Sequence, residues 1–408
     1  MKHAVIYVPG SNQHMLAQSL LVVAERIAAC LKAERADLDD VRVTLVKGDL
    51  HLGEASADRV TLEGLADGTW RELVDLYEAN YLEAFVARFT EQSSLERAFS
   101  AIRIFAGNLG QLGLIFTGRS KGLLDRLQGA FLTSLTIFLA LYLVYWSAVA
   151  AAAVFGIEAM FEQDASRTGF YAAALAAGST ALGFAFKTWV AKLERSAIEF
   201  YALCEYIKDD TIFAESQAMV RDGVVALRRK GYERVDMLCF SMGCLIAGDT
   251  LYPRRAGLRR TSDQIDDWIT VGYPYDLVKV AYPGYFDDRQ APAVTHATWW
   301  NVTEGSDFLG SNFRNDDDNG PPAEDSGIFF KGGLQARPAR NFYFAPPKPA
   351  VKRSWLDAIV PFRRVSNHGL YWDAHDPFAS SCFAPLVQAG FCNPPIAKSP
   401  PTPALDAA

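Results

Sequence analysis

Ser241 is the first residue whose setting invites chemistry. It follows residues 235–240, VDMLCF, an apolar run of strand type and length. From Met242 to Leu251 the apolar residues recur at helical spacing. Gly243, Cys244, Ala247 and Gly248 are small where a helix would pass close to a sheet. A serine on a sharp turn between strand and helix has two readings. It is an ordinary helix cap, or it is a nucleophile whose proton is taken by a neighbouring base. Downstream, Asp276 follows the strand candidate 268–271 and Asp307 follows the strand candidate 297–303, ATWWNVT. Histidines stand at 296, where a strand begins, at 368, in the loop 365–369, and at 375.

The surroundings of Ser241 read C-F-S-M-G, which resembles the G-x-S-x-G nucleophile elbow of the α/β-hydrolase family with Cys239 in place of the first glycine. Small residues two before and two after the serine let the backbone turn tightly. The chain also resembles that family in the order of its parts. Strand 3–8, HAVIYV, leads into Pro9-Gly10-Ser11-Asn12-Gln13, similar to the family's oxyanion loop; the elbow, a strand-end acid and a loop histidine follow. The resemblance implies Ser241 as nucleophile, His368 as general base and Asp307 as the carboxylate that holds the imidazole. The acid is expected at the end of the strand two after the elbow strand, and Gly369 after His368 supports that histidine over its rivals. The expected oxyanion donors are backbone N–H groups of Met242 and of Ser11 or Asn12, and the spacing does not choose between the last two. Glu78 ends a strand candidate facing the same region and reads as a surface or supporting residue.

The chain has 408 residues, half of them apolar, enough for a large core. A net charge of −7 and the lack of a basic patch argue against general nucleic-acid binding. Cysteines at 30, 204, 239, 244, 382 and 392 have no metal-ligand spacing and read as free thiols of a reducing compartment. A core strand from residue 3 leaves no room for a signal peptide. Residues 315–320, NDDDNG, suggest a calcium loop, but its first position is Asn315 and its twelfth Ser326, and Pro321-Pro322 follow; it reads as an acidic solvated loop. No cofactor and no metal are expected.

Two long runs change the picture. Residues 127–157 contain no Asp, Glu, Lys or Arg over 31 positions, and 168–186 none over 19. About 20 apolar residues cross a bilayer, so the pair reads as a transmembrane helical hairpin joined by the link 158–167. Ala174/Gly178 and Ser179/Gly183 suit close helix packing in lipid. Six basic residues (Arg119, Lys121, Arg126, Lys187, Lys192, Arg195) flank the hairpin on the side of the termini, against Arg167 alone in the link. That asymmetry puts the termini and the catalytic part in the cytoplasm, with the anchor in an inner or plasma membrane. Residues 104–118, uncharged and with four glycines, are too few to span and read as an interfacial segment.

The expected fold class is α/β: an α/β-hydrolase fold, a mostly parallel sheet flanked by helices, with a two-helix transmembrane insert before the nucleophile strand. Residues 1–100 form the first part of the hydrolase domain, with the oxyanion loop. Residues 101–190 are the membrane insert, with spans at about 130–157 and 168–187. Residues 191–393 form the second part, and 394–408, rich in Pro and Ala, a disordered tail. Further strands are expected at 41–46, 58–62, 72–77 and 341–345, and helices at 15–35, 81–99 and across 187–230; no internal repeat is visible. The expected activity is hydrolysis of carboxylic esters, lipid esters above all, through an acyl-enzyme on Ser241. The expected partners are the lipid bilayer and an ester substrate, with no nucleic acid. The rival reading is a membrane-anchored binding or pore-forming protein with a non-catalytic hydrolase fold; an esterase or thioesterase of soluble substrates is the milder alternative.

Overall fold

The computed structural model describes residues 2–10, 18–52, 55–79, 81, 203, 205–253, 261–282, 284–286, 297–304, 307, 309–311, 313, 339–344, 368, 371 and 382–392. The eight strands are β1 (His3–Val8), β2 (Asp40–Leu52), β3 (Ala55–Ala66), β4 (Thr69–Glu78), β5 (Arg234–Phe240), β6 (Asp267–Val271), β7 (Thr298–Glu304) and β8 (Arg340–Phe344). They form one mixed sheet in the order β2-β3-β4-β1-β5-β6-β7-β8. From β4 to β8 all neighbours run parallel, while β2 and β3 form an antiparallel edge. The helices are α1 (Gln18–Glu34), α2 (Asp210–Arg229), α3 (Met242–Leu251), α4 (Tyr275–Ala281) and α5 (Phe383–Gln388), with a 3₁₀ turn at Ser262–Gln264.

The central strands are buried on both faces, and their composition says why: every residue of β1 is buried, in a strand with both sides covered. Alternation sends Ala4, Ile6 and Val8 of β1, with Val235, Met237 and Cys239 of β5, to one face, under α2 and α3. Val5, Tyr7, Leu238 and Phe240 go to the other face, under α1 and α5. The result is three layers, helix on sheet on helix.

Local chemistry accounts for the boundaries. The β3–β4 hairpin turns on Asp67 (φ 52°) and Gly68 (φ 70°), both in the left-handed region that a type I′ turn requires. Asp209 caps α2, its carboxylate accepting from the N–H groups of Thr211 and Ile212. The expected strands are present, most of them longer by a residue or more. β2 runs past the expected 41–46 because a bulge between Val46 and Leu50 lets it continue beside β3. Of the helices expected across 187–230, the described part breaks at Asp209, and α5 is an element that sequence reasoning missed.

The hairpin segments 127–157 and 168–186, the interfacial segment 104–118, the helix expected at 81–99 beyond its first residue, and the tail 394–408 lie outside the described residues. Among the described residues no helix is long and apolar enough to cross a membrane.

Candidate functional site

Ser241 stands between β5 and α3 with φ 52° and ψ −122°. A β-carbon-bearing residue pays on the order of 1–3 kcal/mol for such a backbone, and neighbouring structure must hold it there. Two bonds do so: the Ser241 N–H donates to the Val271 carbonyl at 3.0 Å, and its own carbonyl accepts from Cys244 N–H at 2.9 Å. The side chain makes no capping bond to the helix. A capping serine would keep an extended backbone and spend its oxygen on the first turn; Ser241 does neither, so the ordinary-cap reading fails.

Glycines make the turn possible. A β-carbon on Gly243 would lie 2.2 Å from the Val8 carbonyl oxygen and 2.5 Å from that of Pro9, so the first turn of α3 sits directly on the end of β1. A β-carbon on Gly10 would lie 3.0 Å from Ser241 Cβ and 2.7 Å from Phe240 Cδ1, so the loop after β1 begins against the serine. Met242 opens α3, where N–H groups lack an acceptor within the helix. Ser11 and Asn12 lie outside the described residues.

Asp307 and His368, 61 residues apart in sequence, meet: His368 Nδ1 lies 2.8 Å from Asp307 Oδ2. A carboxylate only accepts, so Nδ1 carries the proton and Nε2 keeps the lone pair. Asp307 is buried, and burial of a carboxylate is tolerated when donors surround it. Its Oδ1 accepts from Leu309 N–H at 2.9 Å, and its Oδ2 also accepts from the Tyr371 hydroxyl at 2.9 Å. The Tyr371 oxygen in turn accepts from Glu304 N–H, the last residue of β7. Burial first, then the Asp307 charge, pushes the Tyr371 phenol well above its ordinary range, so it stays a donor.

The pair is set against the serine turn. The His368 ring stacks on Phe240, the residue before Ser241, with centroids 5.2 Å apart and planes at 22°. A β-carbon on Gly272 (φ +60°) would lie 2.8 Å from His368 Cε1, and one on Gly310 would lie 2.6 Å from Asp307 Oδ2. Gly272 follows Val271, the residue that holds the Ser241 N–H, so serine, imidazole and carboxylate gather at the C-terminal ends of β5, β6 and β7. Such a gathering can activate a hydroxyl: the imidazole takes its proton and the carboxylate stabilises the resulting cation.

Asp276, the rival acid, lies in the first turn of α4, where its backbone N–H donates to Ser311 Oγ and braces the acid loop. His296 and His375 lie outside the described residues. Glu78 is buried at the end of β4, not on the surface, because β4 is an inner strand beside β1. Cys239 fills the place of the elbow's first glycine, fully buried near Trp268 and Cys244; burial drives its thiol pKa upward, so it stays protonated and serves as packing. Tyr371, Gly310 and Gly272 were missed by sequence reasoning, and of the three only Gly272, following a strand, carried a local signal. Among the described residues no group of three or more His, Cys, Asp or Glu could hold a metal ion, and 315–320 lies outside them.

Comparison of the chain with protein-family models, with curated proteins and with solved structures gave no match.

Proposed function

We propose that this chain is a membrane-anchored serine hydrolase of the α/β-hydrolase type that cleaves carboxylic esters, lipid esters first among them. The observation that carries the reading is the 2.8 Å contact of Asp307 with His368, stacked on the residue before a serine held at φ 52°. The acid comes from the loop after β7, two strands beyond β5, as the resemblance requires.

In this reading Ser241 Oγ attacks the ester carbonyl while His368 Nε2 takes its proton. Asp307 keeps the imidazole in the Nδ1–H tautomer and stabilises its cation. The carbonyl electron pair moves to oxygen, where backbone N–H groups of Met242 and of Ser11 or Asn12 receive it. The imidazolium then protonates the departing alkoxide, and water, activated by the same base, hydrolyses the acyl-enzyme.

Lipid is favoured by the route of the chain. β4 and β5 both run parallel to β1, so segment 82–202 departs from the sheet end that carries Ser241. That segment holds the uncharged runs 127–157 and 168–186, and its flanking charges put the catalytic part on the cytoplasmic side. An enzyme held at the bilayer meets lipid at high local concentration.

The test is fluorophosphonate labelling of the full chain in its membrane, followed by hydrolysis of phospholipid or acylglycerol vesicles and of short soluble esters. Labelling of wild type but not of Ser241→Ala, with turnover of vesicles, is the expected result. A wild-type chain that takes no label overturns the hydrolase reading. Turnover confined to soluble esters overturns the lipid reading.

A further inference from the structure

Asn301 stands in the middle of β7, a strand between β6 and β8 that is buried from Trp299 onward. Asparagine is disfavoured in strands, and a buried amide is tolerated only when its polar atoms are bonded. The Asn301 amide is wholly buried, and both of its ends are used. Register sets Thr270 of β6 and Asn341 of β8 on either side of it, a polar rung across three parallel strands. The Thr270 hydroxyl accepts from Trp299 Nε1–H at 3.0 Å and donates to Asn301 Oδ1 at 2.8 Å. Asn301 Nδ2 donates to Asn341 Oδ1 and to the Ser311 carbonyl, each at 3.0 Å. A carbonyl only accepts, which fixes the way the amide faces. The bond to Ser311 is the one that leaves the sheet, and it ends in the acid turn.

That turn is held at two ends. It begins where Asp307 N–H bonds the Glu304 carbonyl at 3.0 Å. It closes at Ser311, whose N–H bonds the Tyr273 carbonyl and whose Oγ accepts from Asp276 N–H, both at 2.7 Å. Those two bonds tie the close of the turn to the connection between β6 and α4. The Asn301 amide ties it back to β7, the strand from which the acid comes. Between the two ends, Leu309 N–H holds Asp307 Oδ1 at 2.9 Å. Gly310 packs so closely that a β-carbon there would lie 2.6 Å from Asp307 Oδ2, the oxygen that meets His368 Nδ1. A shift of Ser311 therefore moves both groups that seat the carboxylate. The imidazole loses its aim with them.

We propose that Asn301 is a positioning residue for the acid of the triad: its amide, bonded to the Ser311 carbonyl, holds the 307–311 turn so that Asp307 Oδ2 meets His368 Nδ1. The proposal rests on the serine-hydrolase reading. Asn301 acts through Asp307, so its loss weakens the transition state rather than substrate binding.

The experiment compares full-length wild type, Asn301→Leu, Asn301→Val and Tyr232→Phe in detergent micelles, on a short soluble ester. Leucine is close to asparagine in shape and valine suits a strand; neither carries a donor. Rates are taken per Ser241 site titrated with fluorophosphonate, which removes any misfolded fraction. Tyr232 is the control, a buried tyrosine before β5 whose hydroxyl donates to Asp75 at 2.6 Å, away from the serine turn. In both Asn301 variants kcat falls about tenfold with KM unchanged. Tyr232→Phe keeps the wild-type kcat. In an Asp307→Ala chain no acid remains to be positioned, so adding Asn301→Leu changes the rate constant of fluorophosphonate labelling by no more than about twofold. Wild-type kcat in either Asn301 variant overturns the proposal, as does an equal loss in Tyr232→Phe or a loss that multiplies with that of Asp307→Ala. Asn301 variants without titratable serine support the proposal if they still unfold cooperatively on heating and overturn it if they do not. A wild-type chain that takes no fluorophosphonate ends the hydrolase reading, and this proposal with it.

Discussion

The Tyr371 hydroxyl and the His368 imidazole share one acceptor, Asp307 Oδ2, at 2.9 and 2.8 Å. The phenol therefore draws on the same charge that steadies the imidazole. Removing it in Tyr371→Phe leaves more of that charge to the histidine and frees the carboxylate to turn. The acidic limb of the kcat/KM profile should move to higher pH, and kcat should fall about tenfold from lost orientation. A pH–rate profile beside wild type checks this, and an unmoved limb counts against the shared-acceptor account.

Ser241→Ala, Asp307→Asn and His368→Ala should each remove most ester hydrolysis while leaving the thermal transition nearly in place. In the proposed reaction the three act as a unit, so double variants should be scarcely worse than singles. Losses that multiply in the doubles would mean that the residues act independently.

Two glycine substitutions should separate scaffold from site. In Gly243→Ala the new carbon meets backbone oxygen at 2.2 Å, which cannot move aside without shifting β1 or α3. A stability loss of about 3 kcal/mol is expected, with activity gone. In Gly272→Ala the obstacle is the His368 ring at 2.8 Å, which can swing away. Folding should persist at a cost of about 1–2 kcal/mol for a β-carbon at positive φ, while kcat drops roughly a hundredfold because a displaced base is misaimed. Denaturant midpoints and rates on the same samples give both numbers.

At the other end of β4, a hydrogen bond with buried Asp75 holds the carboxyl of Glu72, an exposed residue, up at about 7. Raised in the folded chain from an ordinary 4.5, it contributes stability that is complete below that value and lost as pH rises through about 7. Glu72→Gln keeps a neutral donor beside Asp75 at every pH. The variant should therefore gain on wild type between about pH 5 and about pH 8, read as the difference in urea midpoints. A difference that stays constant would show that Glu72 and Asp75 do not share a proton.

What the sequence makes legible is whatever acts locally. Asp67-Gly68 announces a turn because both positions need positive φ. The small residues around Ser241 announce a tight crossing of strand and helix, and the helix falls at Met242–Leu251 as its spacing predicts. Asp276 and Asp307 look alike in sequence, since each follows a strand. What separates them is that the 307–311 turn folds back on Tyr273, whose carbonyl accepts Ser311 N–H at 2.7 Å. Tyr371 and Gly310 gain their importance from residues tens of positions away, which no periodicity records. α5 was invisible for another reason: it is six residues long, with Pro385 in its first turn.

Tyr81 lies near Cys244, and Tyr206 donates to Asp249 at 2.7 Å, so the residues that flank segment 82–202 both lie close to α3. Five residues along a helix is about 7.5 Å. The described chain on either side of residues 82–202 thus comes back to one helix, beyond the last hydrogen bond of β4. Joining 81 to 203 through a few Gly and Ser residues would close a loop of small entropic cost, and the sheet that carries Ser241 should still fold.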